Sequence, residues 1–477
     1  MINKAIDEKI DLWIKENKSS LIEKWMELCR IPSVRSEATE NAPFGKNCAK
    51  ALRFSADLFS DCGFESTVID KDGYALINYG DGEKTIGLFC HSDVVPVGEG
   101  WLYTQPFEPV IKDGALIGRG VEDNKSGIIA SLSALRFFND SGIKLNNKLT
   151  VFIGSNEESG MEDIKKYINN NKTPDISIVP DADFPCSVGE KGIYRFIAES
   201  VNDFTDVTEF CGGEAFNIVL DSITVKIKHN PELYCEIESK IRSDKRFTLT
   251  QTDSELILTA KGVAKHASVP EGSVNAAVLA CDLLGGCNKI IENDRAIFKS
   301  IKSIISSCYG EGIGVVNEDV NFGKLTSVNG ICKLNGKKPQ LSFDVRYGNT
   351  IDGAYVENES EKVLNKKGFT VKNKVNTEGF AIDKDSKLPE IFETVYKDVT
   401  GDSKKRIYMS GGTYARRLKN AFSIGTFAFT KNNSSPGLVM PEGHGGAHQC
   451  DEMIDIDAFF NAVKILIHCI LVCDNNI

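Results

Sequence analysis

Apolar residues recur at helical spacing between residues 5 and 30: Ile6, Ile10, Leu12 and Ile14, then Leu21, Ile22, Trp25, Met26 and Leu28. The polar run KENKSS separates the two sets, and the pattern predicts two opening helices. Short apolar runs follow. STVID (66–70), YALINY (74–79) and TIGLFCH (85–91) read as strands, then GALIGRG, a helical pattern from about 126 to 138, and the strands KLTVFIGS and ISIVPDAD, the last ending near 183. Apolar strands separated by helical patterns predict an α/β layer around a mixed, largely parallel sheet flanked by helices.

From about residue 193 the texture changes to polar, alternating strands. DSITVKIKH (221–229) is one, and RFTLTQTDSELILTAKG holds two more around a TD turn that suits a hairpin. A helix is expected at 273–286, and QLSFDVRYG (340–348) and GFTVKNKV (368–375) add further strands. The pattern then returns to α/β, with a helix at 388–398, GGTYARRL, the strand FSIGTF and a final helix at 456–472. The expected organisation is a first domain in two parts, 1–192 and 380–477, with an α+β lid-like domain, 193–379, inserted between them.

Composition narrows the function classes. A net charge of -11 with no basic run argues against nucleic acid as a partner. Charges interrupt every apolar stretch of MINKAIDEKIDLWIKENK, so no export signal is expected. The longest apolar segment, Ala462 to Cys473, is shorter than a bilayer span and contains Lys464 and His468, so it reads as a buried helix and no membrane partner is expected. With no export signal expected, the 14 dispersed cysteines, without CxxC pairs, read as reduced, mostly buried thiols, and a cytoplasmic location is expected.

Six histidines, at 91, 229, 266, 444, 448 and 468, limit where imidazole chemistry can occur. His91 ends a buried strand, and Asp93 points to the same side, where its carboxylate could orient the ring for a metal or simply cap the strand. Asp123 lies in a glycine-flanked turn before a helix, as ligand or as N-cap. Glu157 and Glu158 sit side by side after the next strand, where adjacent carboxylates repel unless they share a cation or proton. One could ligate a metal while the other acts as general base; the bland alternative is a solvated acidic turn. Asp181 and Asp183 end a further strand. Four such strand ends fall where open α/β sheets bind ligands. In EGHGGAHQCDE the glycines disfavour a helix, so one of its two histidines is expected to ligate.

HSDVVPVGEGW, GRGVEDNKSG, NEESG, PDADFP and AHQCDE, with GGEAFN, GVAKHASVPEGSVNA, SFDVRYG and GGTYAR, together resemble the aminoacylase/carnosinase-type dinuclear zinc peptidases, and among them the bacterial PepV-type dipeptidases. The resemblance covers nearly the whole chain. It implies that Asp123 bridges two divalent metals, one completed by His91 and Asp181, the other by Glu158 and His448. Glu157 would be the general base and Asp93 would orient His91. His266, Arg346, Asn217 and the backbone of Gly412 and Thr413 would contact substrate, while His229, His444 and His468 fall outside the motifs. Zinc is the expected metal, with manganese or cobalt also compatible.

On the ligand set the resemblance implies, three carboxylates and a bridging hydroxide would balance two dications, which would lower the pKa of bound water from about 15.7 towards about 7. The expected reaction is attack by that hydroxide on a dipeptide or short peptide with free termini, in a monomer whose lid closes over the site. An N-acyl amino acid deacylase, of the acetylornithine or succinyl-diaminopimelate kind, is the alternative within the fold, and a catalytically silent binding protein is the alternative outside it. The chain departs from the family pattern after Asp123, where Asn124 is an amide and Ser126 replaces the usual glycine.

Overall fold

The computed structural model describes residues 2–383, 385–430 and 437–477. The chain divides into two compact units: Met1–Gly189, Ile382–Ile407 and Gly412–Ile477 form the first, Glu190–Ala381 and Tyr408–Gly411 the second.

The first unit opens with one helix, α1 (Lys4–Cys29), where the sequence pattern suggested two. KENKSS contains no breaker, and its polar groups bond within the helix: Asn17 Nδ2 donates to the Trp13 carbonyl (2.9 Å) and Ser20 Oγ to that of Asn17 (3.0 Å). Ile10, Trp13, Leu21, Trp25 and Leu28 form one buried stripe through it. The Asn3 side chain caps the first turn by accepting from the Ala5 and Ile6 amides.

After α2 (Lys46–Ser60) come β1 (Glu65–Ile69), β2 (Tyr74–Tyr79), β3 (Thr85–His91), β4 (Val110–Lys112), β5 (Ala115–Ile117), α3 (Lys125–Ser141), β6 (Lys148–Gly154), α4 (Glu162–Asn170), β7 (Ile176–Ala182) and β8 (Ser187–Glu190). The main sheet runs β1-β2-β6-β3-β7, then the strand Ala421–Gly425, then β8. Its central pairs are parallel, β6 with β3, β3 with β7 and β7 with 421–425. The outer pairs are antiparallel. The sheet is therefore mixed, and parallel where the site forms.

The last helix, Ile456–Asn476, extends beyond the apolar segment counted from sequence and is long and apolar enough, by length and composition, to cross a membrane. Ile456 to Phe460 add apolar surface before Asn461. That surface is used inside the unit: Phe459 packs on Trp25 with ring centroids 4.3 Å apart, and the buried His468 meets Asp7 of α1 at 3.0 Å.

The second unit is α+β and antiparallel. One sheet orders Thr326–Val328, Lys338–Tyr347, Gly192–Ser200 and Phe369–Thr377, with Cys332–Asn335 paired to Lys338–Tyr347. The other orders Val207–Cys211, Ser222–Lys228, Glu255–Lys261 and Phe247–Gln251, the last two forming the hairpin around Thr252–Ser254. Helices Ala276–Gly285 and Glu292–Ile305 supply much of its own core, where Phe196 and Phe343 stack at 4.8 Å.

Candidate metal centre

β3 ends on His91 opposite Gly154, the last residue of β6, so the chain leaving β6 carries Glu157 and Glu158 past that histidine. β7 flanks β3 on its other side and brings Asp181 to the same edge. Asp123 arrives in the turn before α3. Its Oδ1 is 3.1 Å from His91 Nε2, and its Oδ2 is 3.0 Å from His448 Nε2. His91 Nε2 lies 3.6 Å from Asp181 Oδ2, and His448 Nε2 lies 3.2 Å from Glu158 Oε2. The five side chains thus form two pairs sharing one carboxylate. Ligand atoms from His91, Asp123 and Glu158 all lie within 4.8 Å of one another.

The residues fit a cation. Among the described residues, the buried atoms His91 Nε2, Glu157 Oε1 and Glu158 Oε1 have no partner in hydrogen-bonding geometry. Each buried group left so costs about 1–3 kcal/mol. Burial pushes the Glu157 carboxyl well above its ordinary range, and the charges of Asp181, Glu158 and Asp123 push it further against the pull of His91. Asp181 rises to about 7 through burial and then the charge of Asp123. Burial opposes charge on His448, yet Glu158 and Asp123 carry it up to about 12. Asp123 behaves in the opposite sense: burial would raise it, but the imidazoles of His448 and His91 beside it hold it well below the usual carboxylate range. An anionic set this dense demands positive charge at its centre.

The supporting contacts are partly unanticipated. Asp93 Oδ1 is 3.6 Å from His91 Nδ1, whereas the Asp93 carbonyl is nearer, at 3.0 Å. The carboxylate accepts instead from the amides of Glu157 (3.1 Å) and Glu158 (3.2 Å), fixing the turn that presents both glutamates. Asn124 follows a cis Asp123–Asn124 peptide. Its Nδ2 donates to the Pro180 carbonyl and to Asp181 Oδ1 (3.0 Å), and its Oδ1 accepts from the His91 amide (3.4 Å), so the amide ties β3 to β7. A Cβ at Gly127 would stand 2.4 Å from Asn124 Oδ1, which is why glycine occupies that position. Ser126 takes a helical place in α3, its hydroxyl donating to the Glu122 carbonyl.

Glu452, inside the AHQCDE motif, was not singled out from sequence. Its Oε2 accepts from Arg119 Nη1 (2.7 Å) and the Gly120 amide (3.0 Å), its Oε1 from the amides of Glu122 (2.9 Å) and Asp123 (3.1 Å). Asp163 likewise accepts from Ser155, Asn156 and the Tyr414 hydroxyl (2.6 Å), and the Tyr414 ring stands edge-on to His91 at 6.3 Å. The only signal for either was a carboxylate close to a motif. His444 sits against Asp451 at 2.6 Å, leaving His448 as the histidine of that loop at Asp123.

Gly412 precedes Thr413, whose hydroxyl caps the short helix Tyr414–Arg417 and meets Ser423 Oγ at 3.0 Å. In the second unit Asn217 Nδ2 and His266 Nε2 are 3.2 Å apart, and His266 Nδ1 is 2.6 Å from Ser268 Oγ. Arg346 is buried, with Nε and Nη2 on the carboxylate of Asp344 and Nη1 on the Ser410 carbonyl (3.0 Å). His229 meets Gln251 at 3.1 Å.

A parallel sheet core carrying histidines and carboxylates at its carboxyl edge defines an α/β protein with a centre suited to metal. Residues 87–472 match the model of peptidase family M20/M25/M40, and the chain belongs to that family of metal-dependent peptidases. It is 28% identical over 480 residues to a Staphylococcus aureus (strain bovine RF122 / ET3-1) protein named "Putative dipeptidase", covering 96% of this chain and 97% of that one. Among solved structures, human carnosine dipeptidase 1 shares the fold with a TM-score of 0.61 at 15% identity, over 98% of this chain and 99% of that one. The di-peptidase Dug1p from Saccharomyces cerevisiae does so with a TM-score of 0.61 at 14% identity, over 98% of each chain.

Proposed function

We propose that the protein is a PepV-type dinuclear metal-dependent dipeptidase that hydrolyses dipeptides and short peptides with free termini. One observation carries the reading: Asp123 stands between the His91–Asp181 and His448–Glu158 pairs while Glu157, adjacent and buried, belongs to neither. The dipeptidase name of a relative aligned along 96% of the chain supports it.

Two dications, zinc foremost and manganese or cobalt as substitutes, would be held by His91 and Asp181, by His448 and Glu158, and jointly by Asp123; when bound they supply carbonyl polarisation and a more acidic water. Glu157 takes the proton of the attacking water and passes it to the leaving amine. Asp93 keeps the Glu157 backbone fixed through both steps. His266 and Asn217 are the proposed donors to the developing oxyanion, and losing one such donor typically costs about 2.7–4 kcal/mol. Arg346, aligned by Asp344, would hold the substrate carboxylate through parallel hydrogen bonds, and the Gly412 and Thr413 backbone are further proposed substrate contacts. The proposed state is a cytoplasmic monomer.

Glu157→Ala tests this reading. Hydrolysis of dipeptides is expected to fall by at least about 10²-fold, with close to two metal ions per chain retained by elemental analysis. A variant that keeps most of its rate removes Glu157 as the base. Wild-type protein that cleaves N-acetyl amino acids and no dipeptide replaces the dipeptidase with the deacylase.

A further inference from the structure

The metal centre lies in a small cavity whose wall includes Glu122, Asp181, Asp183 and Thr426. A larger cavity of about 700 Å³ adjoins it, walled in part by Phe184, Tyr396, Phe427 and Phe429 and in part by the polar Thr400, Asp402 and Lys404. Asp183 lines both cavities, and Thr426 of the first is followed in the chain by Phe427 of the second, so the two meet along the ends of β7 and the strand 421–425. Phe184 stacks on Tyr396 at 5.5 Å, and both are buried. Phe427 and Phe429 are half-buried, their rings edge-on at 5.9 Å. Such a volume, with an aromatic side, a polar side and the Asp183 carboxylate shared with the metal cavity, describes a small-molecule site. Asp183 belongs to neither ligand pair, and among the described residues no hydrogen bond or ion pair engages its carboxylate.

We propose that this pair of cavities receives the amino-terminal residue of the substrate, its α-ammonium on Asp183 and its side chain among Phe184, Tyr396, Phe427 and Phe429. The inference deepens the dipeptidase reading and rests on it. In a dipeptide the carbon next to the scissile carbonyl bears both the ammonium and the first side chain. A carbonyl at the metal centre therefore leaves both groups at its rim, where the structure offers a carboxylate and an aromatic cavity side by side. The choice of terminus follows from charge. Asp183 lies outside the ligand set, so its carboxylate is not neutralised by metals held there; it attracts an ammonium and repels a carboxylate. An N-acylated first residue lacks that charge. The substrate class is dipeptides with a free α-amino group and an aromatic or large apolar first residue.

The experiment compares Phe-Gly, Gly-Gly and N-acetyl-Phe-Gly on metal-loaded wild type, Asp183→Asn and Phe429→Leu, with calorimetric binding of phenylalaninamide and N-acetylphenylalaninamide to wild type. Asp183→Asn is expected to raise KM for Phe-Gly roughly tenfold or more, with kcat within about threefold. Phe429→Leu is expected to lower the Phe-Gly to Gly-Gly ratio of kcat/KM, roughly severalfold. Wild type should bind phenylalaninamide and not its N-acetyl form, a readout independent of turnover and of whether a variant folds. Hydrolysis of Phe-Gly with equal binding of the two amides, or with KM unmoved in Asp183→Asn, overturns this inference and leaves the dipeptidase reading standing. Wild type that hydrolyses no free dipeptide overturns both.

Discussion

Glu452 and Arg119 meet at 2.7 Å with both side chains 1% exposed. Among the described residues, all four hydrogen bonds accepted by this carboxylate come from the segment 119–123, which ends on Asp123. Glu452→Gln keeps the volume but turns an amide NH₂ towards N–H donors and leaves Arg119 buried without its counter-charge. Breaking a buried pair this way costs about 3–5 kcal/mol, and loss of an outer support of a ligand typically weakens metal affinity about 10- to 100-fold. Urea unfolding and competition against a chromophoric chelator measure the two. Unchanged metal affinity would show that Asp123 does not depend on Glu452 for its position. The contrast between these residues also explains what could be read from the chain. His91, Asp123 and Glu158 announce themselves because few residue types ligate metals and these stand at strand ends. Glu452, Asp93 and Asn124 do their work through backbone amides several turns of chain away, and a carboxylate that accepts from amides has the same sequence signature as an exposed one.

At the scale of elements, strands were legible where burial is continuous: YALINY and TIGLFCH coincide with Tyr74–Tyr79 and Thr85–His91. Helix α4 buries only Asp163, Ile164 and Tyr167 out of EDIKKYINN, too few apolar positions to declare a period. Helix Glu292–Ile305 is a different case. Its buried Ile297, Phe298, Ile301, Ile304 and Ile305 carry a clear helical repeat in the sequence itself. Helix Leu388–Thr400 was foreseen, but its tether was not. Glu393, buried, accepts from Arg406 Nε (2.6 Å) and amide (3.1 Å) and from Lys405 Nζ (2.9 Å), joining the helix to the chain that follows it. Burial alone would raise its carboxyl, but the hydrogen bonds from Arg406 and Lys405 prevail and hold it at about 2. A folded-state pKa below the unfolded one gives stability that is complete above about pH 4.5 and is lost as pH falls towards about 2. Because Lys405 is exposed, the contribution is discounted to about 1–2 kcal/mol. Glu393→Gln should therefore melt below wild type at pH 7, with the gap closing between about pH 4.5 and pH 2. A gap that stays constant across that window would mean the loss is one of packing, not of charge.

For the molecule as a whole, the change from buried strands to polar alternating ones told of two textures, because a parallel sheet covered on both faces and an antiparallel sheet with one wet face require different residues. The consequence for stability is testable. All five proposed ligands belong to the first unit, and the second has a core of its own around Phe196, Phe298 and Phe343. A ligand that binds only the folded state adds RT ln(1 + [L]/Kd), about 4 kcal/mol per site at a thousand times Kd. Removing metal should then lower the melting midpoint of the first unit by on the order of 10 °C. The three tryptophans, Trp13, Trp25 and Trp101, all lie in that unit, so their fluorescence reports its unfolding alone. With chelator the fluorescence transition is expected to move down, while hydrogen exchange of the strands 192–200 and 338–347 keeps its protection at temperatures below their own transition. If exchange in those strands rises in step with the fluorescence change, the two cores unfold as one cooperative block and metal binding stabilises the entire chain. If neither responds to chelator, the acidic centre contributes nothing through bound cations, and the pairs around Asp123 must draw their stability from the protonated imidazoles of His91 and His448 instead.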